Sequence, residues 1–520
     1  MSIIEKKRKK RFNTAGLCFP EKHYMIDPLS RLHEVEELLE DELYFTLHAP
    51  RQTGKTTYLH ALAQKLNKEG NCIALVTSFE RAGIPSMTVE AANQIIMNSI
   101  YQASTLQLPE FQRPHNPLGN LCPDLFNYLK AWSESQEKPI TLFIDEIDAL
   151  LDEVLISVLR QFRDGYQSRP KHFPSSIVLV GLRDVRDYKV KVREELKSYG
   201  TASPFNIKSD SLVLRDFSQA EVNELLAQHA RETGQVFPDE VKKEIFYLTN
   251  GQPWLVNALA RQIVSKILRN DTSQEITPEI LSEAKIQLIL RRDTHLDNLA
   301  EKLNEKRVLD IVQAIIIGDN IAFDIYNDNV AYVRDLGIVG QSDPLKFANP
   351  IYAEIIPRIM AEPIQVSIPN EIQPQFFIEP NGDLNMEKLL KAFQVFYREN
   401  SEFWLERFEY KESAQHLLLM AFLQRVVNSG GDVCREMALG NGRLDILVAM
   451  KKQKFALELK IKRNKDSIPK GKEQLSNYLD RLGLKEGYLI VFDPTPGEWE
   501  EKIYYNEITY SDKKIVMVGL

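Results

Sequence analysis

An apolar pentad, Leu43-Tyr44-Phe45-Thr46-Leu47, runs into the octapeptide Ala49-Pro50-Arg51-Gln52-Thr53-Gly54-Lys55-Thr56, and a helical pattern follows from Thr56 to Leu66. Strand, tight loop and helix in that order aim loop N–H groups and a helix N-terminus at one spot, which suits a phosphate. Gly54 supplies the turn, Lys55 a cation that reaches β- and γ-phosphates, and Thr56 a hydroxyl for Mg²⁺. Ala49 stands where the pattern usually opens with Gly, and Thr57 extends the set into the helix. Three further apolar runs, Ile73-Ala74-Leu75-Val76, Ile140-Thr141-Leu142-Phe143-Ile144 and Ile177-Val178-Leu179-Val180, alternate with helical segments. Near-continuous apolar strands of this kind imply a parallel sheet covered on both faces, hence α/β architecture up to about Leu214.

A chain of 520 residues is too long for one core, and about two to four domains are expected. Residues 1–19 read as a basic N-terminal tail, with Lys6-Lys7-Arg8-Lys9-Lys10-Arg11 as a solvated run. Residues 20–215 hold the α/β core. Ser218-Gln219-Ala220-Glu221 offers a capping box that opens a helical stretch over 216–296. Residues 297–362 give helices followed by Val330–Val339 and Phe347–Pro350, which read as a hairpin, so the segment looks like a winged helix. Pro363, Pro369, Pro374 and Pro380 mark 363–384 as a linker, and 385–520 form a final domain that ends in strand-rich sequence. The net charge of −8 argues against a protein that coats nucleic acid indiscriminately, although a local basic patch would still bind it. No apolar run spans a bilayer and no secretory leader opens the chain. Cys18, Cys72, Cys122 and Cys434 have no metal-ligand spacing, and a cytoplasmic location is expected.

Phe143-Ile144-Asp145-Glu146 places two carboxylates at the end of a buried strand. Asp145 would hold Mg²⁺ through water, and Glu146 would orient or deprotonate an attacking water. These residues and the loop resemble the AAA+ superfamily, and more narrowly its origin-recognition-like and signal-transduction (STAND) branch. Asp145-Glu146-Ile147-Asp148 looks like the extended acidic motif of that branch. In Gly181-Leu182-Arg183 the resemblance makes Arg183 a γ-phosphate sensor, and in Gly251-Gln252-Pro253 it sets Pro253 near the nucleotide. The usual polar residue on the sensor strand is replaced by Gly181-Leu182, which leaves that role to Arg183. The resemblance covers roughly residues 20–360 and implies ATP and Mg²⁺ as cofactors, a helical lid and a winged helix. Arg160 and Arg163 are candidates for a contact to a neighbouring subunit, which allows a homo-oligomer.

The second constellation lies near the C-terminus. Asp445–Met450 and Gln453–Lys460 can pair as a hairpin around Lys451-Lys452, with Met450 opposite Gln453 and Asp445 opposite Glu458. Period-two alternation then puts Asp445, Glu458 and Lys460 on one face beside Leu447, Ala449 and Ala456, and Ile446, Val448, Phe455, Leu457 and Leu459 on the other. The wholly apolar face is expected to bury itself and the acids and lysine to be presented together. Two carboxylates at that range suit a divalent cation, and a cation with a lysine suits phosphodiester hydrolysis.

Gly442-Arg443-Leu444-Asp445 with Glu458-Leu459-Lys460 resembles the PD-(D/E)xK nuclease superfamily over about residues 385–520. That resemblance implies a restriction-endonuclease-like α/β fold, Glu412 as an additional metal-binding acid, and Gln474 of a Gln-x-x-x-Tyr helix (Gln474–Tyr478) in the catalytic set. The proline that often precedes the first acid is absent. Expected partners are nucleic acid, DNA first, and no membrane. Such a fusion resembles bacterial and archaeal proteins linked with defence against foreign DNA or with mobile elements. The alternative is an ATP-dependent switch or scaffold whose last domain binds DNA or a partner without cutting.

Overall fold

The computed structural model describes residues 10–118, 123–182, 208–291, 299–317, 324, 327–367, 374–407, 411–427, 431–439, 442–462, 466–495 and 497–520. The chain divides into two compact units, Met1–Arg291 with Arg334–Gly337, and Arg292–Val333 with Ile338–Leu520.

The first unit is built on a five-stranded parallel sheet. Its strands are β1 (Tyr44–His48), β2 (Ile73–Ser78), β3 (Ile140–Asp145), β4 (Ser176–Gly181) and β5 (Lys208–Val213). The spatial order is β2-β3-β4-β1-β5, so β4 lies between the loop-bearing strand and the acidic strand. Strands β1, β3 and β4 are buried along their whole length, as continuous apolar runs demand. Alternate side chains feed two cores. Phe45, Leu47, Val76, Phe143, Val178 and Val180 pack with Tyr58, Leu59 and Leu62 of α1 (Lys55–Glu69). Leu75, Leu142, Ile144 and Leu179 pack with α2 (Val89–Gln107), α3 (Leu125–Glu134) and α4 (Asp152–Gly165).

Strand β5 has no apolar run to announce it. Its polar residues are held by hydroxyls, Thr46 Oγ1 with Ser211 Oγ at 3.1 Å and Ser209 Oγ donating to Tyr44 O at 3.2 Å.

The helical stretch forms as expected. It comprises α5 (Gln219–Thr233), α6 (Asp239–Thr249), α7 (Pro253–Arg261) and α8 (Pro278–Leu290). The Ser218–Glu221 capping box is complete. The basic tail needs correction. Residues 1–9 lie outside the described residues, but the chain is anchored from residue 10, not from 20. Lys10 N donates to Glu232 Oε1 at 3.1 Å, Arg11 pairs with His23, and Phe12 is buried between Tyr24, His229 and Phe237 at 4.9, 5.7 and 6.1 Å between ring centroids. An apolar aromatic directly after the basic run turns a solvated tail into a clasp.

In the second unit the helices α9 (Lys306–Ile317), α10 (Asp328–Asp335) and α11 (Pro350–Ser367) precede α12 (Met386–Arg407) and α13 (Lys411–Val427). Two expectations are overturned here. Val330–Val339 does not form a hairpin strand: Asn327 Oδ1 accepts from Asn329 N and Val330 N, starting a helix over most of it. Among the described residues, the isolated antiparallel bridge Val339–Phe347 is what remains of the expected hairpin. The linker at 363–384 is also shorter than expected, since α11 continues through Pro363 to Ser367. Beyond it, Phe377 and Leu384 are buried, and Ile378 bridges Leu384. Within this unit α9 and α11 both pack on α13.

The second sheet is mixed and has six strands. They are β6 (Gly431–Leu439), β7 (Gly442–Met450), β8 (Gln453–Ile461), β9 (Glu486–Phe492), β10 (Tyr504–Tyr510) and β11 (Lys513–Gly519), in the order β10-β11-β9-β8-β7-β6. Strands β6, β7 and β8 form an antiparallel meander; α14 (Ser467–Leu482) then carries the chain to β9, parallel to β8. Lys451 adopts the left-handed conformation that the two-residue β7–β8 turn requires.

Helix α14 lays Leu475, Tyr478 and Leu479 over Leu447, Ala456, Leu489 and Val491. The opposite face carries Ile446, Val448, Leu457 and Leu459, all buried, and Tyr397 of α12 meets Phe492 there at 5.4 Å. Both faces are therefore covered, including the one that carries Asp445, Glu458 and Lys460.

Candidate functional site

Two constellations occupy strand ends, one in each unit. In the first, Gln52 and Gly54 take positive φ angles of 62° and 94°, which bends 49–54 into a loop that closes on the first turn of α1. Lys55 Nζ donates to Ala49 O at 2.7 Å and to Pro50 O at 2.9 Å. Burial lowers its pKa to about 8 against the opposing pull of Asp145 and Asp148. Thr56 Oγ1 donates to Asp145 Oδ2 at 2.6 Å across the β1–β3 strand ends. The residues expected to share a Mg²⁺ therefore converge, and the hydroxyl–carboxylate donor set fits a hard cation. Burial pushes the Asp145 carboxyl up, and the Thr56 hydrogen bond opposes that rise. Glu146 is exposed in the left-handed region, φ 57°, and its Oε2 accepts from Ser78 Oγ of β2 at 2.6 Å. Arg51 is exposed at the loop tip and Thr53 is buried within it.

Sequence reasoning missed two residues of this site. Ser78, the last residue of β2, holds Glu146; a polar residue closing an apolar strand was the available signal. Arg31 is buried and donates to Thr53 O at 2.7 Å and to Arg215 O, tying the loop to the segment that enters α5. Burial lowers its pKa to about 10. The same burial raises Asp216 to about 6, opposed by Arg31. No spacing rule marks an arginine some twenty residues ahead of the loop, so no signal pointed to it.

A cavity of about 150 Å³ adjoins the loop, bounded by Gln52, Thr53, Gly54 and Thr57, by 13–16 of the N-terminal clasp, and by Pro253 and Trp254. Pro253 opens α7, and Trp254 Nε1 donates to Thr14 O at 2.9 Å. Gly251 is required by packing: a Cβ there would stand 1.9 Å from Phe217 O. The Gly-Gln-Pro motif thus brings Pro253 to the wall of a cavity beside the phosphate loop. Arg183 lies outside the described residues. Gly181 ends β4 with Asp148 Oδ1 2.9 Å from where its Cβ would be, so the acid fills the space a side chain at 181 would take. Arg160 and Arg163 are exposed, with no carboxylate within 4 Å among the described residues.

In the second unit the expected register is present. Met450 pairs with Gln453 and Ile446 with Leu457, which sets Asp445 across from Glu458. Asp445 Oδ2 accepts from Leu459 N at 2.7 Å, and Lys460 Nζ donates to Glu458 Oε1 at 2.7 Å. Glu458 is only 2% exposed, and its Oε2 has no hydrogen-bond partner among the described residues. Burial and then Asp445 raise the Glu458 carboxyl far above its ordinary range, with Lys460 opposing. Burial pulls Lys460 down, but Glu458 and Asp445 outweigh it and the net shift is upward. A buried, orphaned carboxylate oxygen beside a second carboxylate fits a divalent cation.

Glu412 falls in α13, but its side chain lies outside the described residues, and among those described no set of three acidic, His or Cys ligands is assembled. Gln474 is exposed while Tyr478 is buried in the core. Sequence reasoning missed Gly471 of α14. A Cβ there would lie 2.8 Å from Lys460 Cγ, so its bareness lets the helix rest on the lysine stem. A glycine inside an otherwise regular helical pattern was the signal.

The sheet order, the loop and the Thr56–Asp145 pair make the first unit an α/β fold with a five-stranded parallel sheet of the P-loop kind. Comparison with known proteins adds the following. Residues 388–495 match a family model described as a domain of unknown function, DUF8371. No curated protein matches the chain. Among solved structures, a Walker-type ATPase of Pyrococcus abyssi is similar at 17% identity and a TM-score of 0.46, over 66% of this chain and 98% of that one. The Thermotoga maritima RuvB Holliday junction branch migration motor is similar at 17% identity and a TM-score of 0.33, over 61% and 89%. Cdc6p from Pyrobaculum aerophilum is similar at 13% identity and a TM-score of 0.35, over 65% and 94%. No described helix is long and apolar enough to cross a membrane.

Proposed function

We propose that the chain is an ATP-binding and ATP-hydrolysing switch that controls a divalent-metal-dependent nuclease in its second unit, acting on DNA. The observation that carries the nuclease reading is the buried Glu458 opposite Asp445, with one oxygen on Lys460 and the other without a hydrogen-bond partner among the described residues. A cation held by Asp445 and Glu458 would polarise a phosphodiester and supply hydroxide at neutral pH. Lys460 would neutralise charge that develops on the phosphate, and α14 above it would limit water access.

In the first unit Lys55 would leave Ala49 O and Pro50 O for the β- and γ-phosphates, with Thr56 and Asp145 holding Mg²⁺. Glu146, on Ser78 at the strand edge, would orient the attacking water. Pro253, with 13–16 and Trp254, would enclose the nucleoside end. Arg183 as γ-phosphate sensor, Glu412 as third acid, Gln474 as accessory residue and a homo-oligomer through Arg160 or Arg163 belong to the same proposal. A place in defence against foreign DNA or in mobile-element biology is part of the same proposal, supported by fold-level analogy alone.

Metal-dependent cleavage of linear, circular and single-stranded DNA is expected from the wild type and absent from Lys460→Ala; equal cleavage by both removes the nuclease. Glu146→Gln is expected to abolish ATP turnover and keep nucleotide binding, and lost binding would count against its role. The near-complete burial of Glu458 favours a second reading, a switch whose second unit binds DNA without cutting it. Retarded but uncleaved DNA across Mg²⁺ and Mn²⁺ concentrations would select that reading.

A further inference from the structure

Helix α14 rests on the sheet at Gly471, where a Cβ would meet Lys460 Cγ at 2.8 Å and Leu489 Cδ1 at 2.9 Å. With 3.6 residues per turn, the residues on either side of Gly471 are carried to opposite flanks of that contact. Both are lysines. Lys470 is exposed and Lys472 half-buried, and among the described residues neither has a carboxylate within 4 Å, whereas nearby Lys462 is tied to Asp493 at 2.6 Å. The N-cap of α14 is the acidic Asp466, and the first turn after it holds no further acid. Between 460 and 472 the sequence has Lys460, Lys462, Arg463, Lys465, Lys470 and Lys472 against the single acid Asp466, in a chain of net charge −8. Lys470 and Lys472 thus flank the point where the helix rests on Lys460, and Glu458, bonded to that lysine, keeps a buried oxygen without a hydrogen-bond partner among the described residues.

We propose that Lys470 and Lys472 form a saddle for the sugar-phosphate backbone of DNA and guide a phosphodiester to the Asp445–Glu458–Lys460 site. This rests on the reading of that site as a nuclease, but it concerns binding and is tested apart from cleavage. Full-length wild type, Lys470→Ala/Lys472→Ala and a control, Lys388→Ala/Lys452→Ala at two exposed lysines of the same unit, are titrated against fluorescein-labelled duplex DNA in EDTA, with anisotropy read across a salt series.

Loss of two phosphate contacts should lower the slope of log affinity on log salt by about 2 and weaken binding roughly tenfold or more. The control pair and all melting temperatures should be unchanged. An unaltered slope in Lys470→Ala/Lys472→Ala, or an equal loss in the control, overturns the saddle. Tighter, equally lysine-dependent binding of a matched RNA overturns the assignment to DNA. Lysine-dependent binding without cleavage by the wild type would leave the saddle standing and remove the nuclease. Cleavage with a KM indifferent to the two lysines would do the reverse.

Discussion

Replacing Glu458 by Gln tests whether the buried carboxyl is a cation ligand that must first lose a proton. Burial and Asp445 hold it up at about 8, against Lys460. A carboxyl raised in the native state keeps its proton there. Its contribution to stability is full below the ordinary value of 4.5 and is lost as pH rises through about 8. In metal-free buffer the wild type should therefore lose stability relative to Glu458→Gln as pH climbs through that window. A cation competes with the same proton, so its binding strengthens as the wild type alone weakens. One-proton competition against the raised carboxyl strengthens apparent affinity by up to about tenfold per pH unit as pH climbs towards that value. Thermal melting of the full chain, with nucleotide omitted and with or without Mn²⁺, reads this directly. The Mn²⁺-induced rise in melting temperature should be small at the acid end and large at the alkaline end for the wild type. In Glu458→Gln it should be nearly absent throughout. A rise that ignores pH, or that survives in the variant, would refute the carboxyl as the ligand.

Gly471→Ala should lower stability by about 1–3 kcal/mol through overpacking against Lys460 and Leu489. Much of that loss should disappear in a Lys460→Ala background, where the clashing Cγ is gone; equal melting shifts in both backgrounds would disprove the contact. Phe12→Ala removes the buried ring that anchors the N-terminal clasp and should cost about 3–5 kcal/mol if the clasp is part of the cooperative fold. Because residues 13–16 line the cavity beside the loop, the same variant should bind a fluorescent ATP analogue more weakly, and an unchanged affinity would separate the clasp from the cavity.

The parts of this molecule that were legible in the sequence are those where side-chain pattern and backbone geometry coincide. Strands β1 to β4 announce themselves because a strand covered on both faces must be apolar at every position. The Asp445–Glu458 register was legible because a two-residue turn and period-two alternation leave one pairing that keeps the apolar residues together. Strand β5 was not, since its Ser209 and Ser211 are secured by hydroxyl contacts rather than by burial. The segment at Val330–Val339 misled because β-branched residues suit a strand, while the capping carboxamide of Asn327 started a helix. Proline at 363 misled in the same way. Covering of the acidic face by α14 follows from tertiary packing through Gly471, which no local pattern encodes. Arg31 reaches the loop across sequence-distant elements and has no local signature.

The contact between Gly181 and Asp148 also bears on how a chain like this one can change by single substitutions. The end of β4 and the turn after β3 share one small volume, and at present the acid of the turn has it. A polar residue placed at 181 to face the loop must first meet a carboxylate oxygen at 2.9 Å, so that route opens only once residue 148 has shrunk or turned away. Shrinking 148 first removes a negative charge that helps keep the buried Lys55 protonated. The two positions therefore form a coupled pair, in which a side chain at 181 requires the Asp148 carboxylate to turn aside. Chains with a side chain on the strand and chains with an acid on the turn would then be separate local optima, and mutational scans should find epistasis between 148 and 181 larger than either single effect.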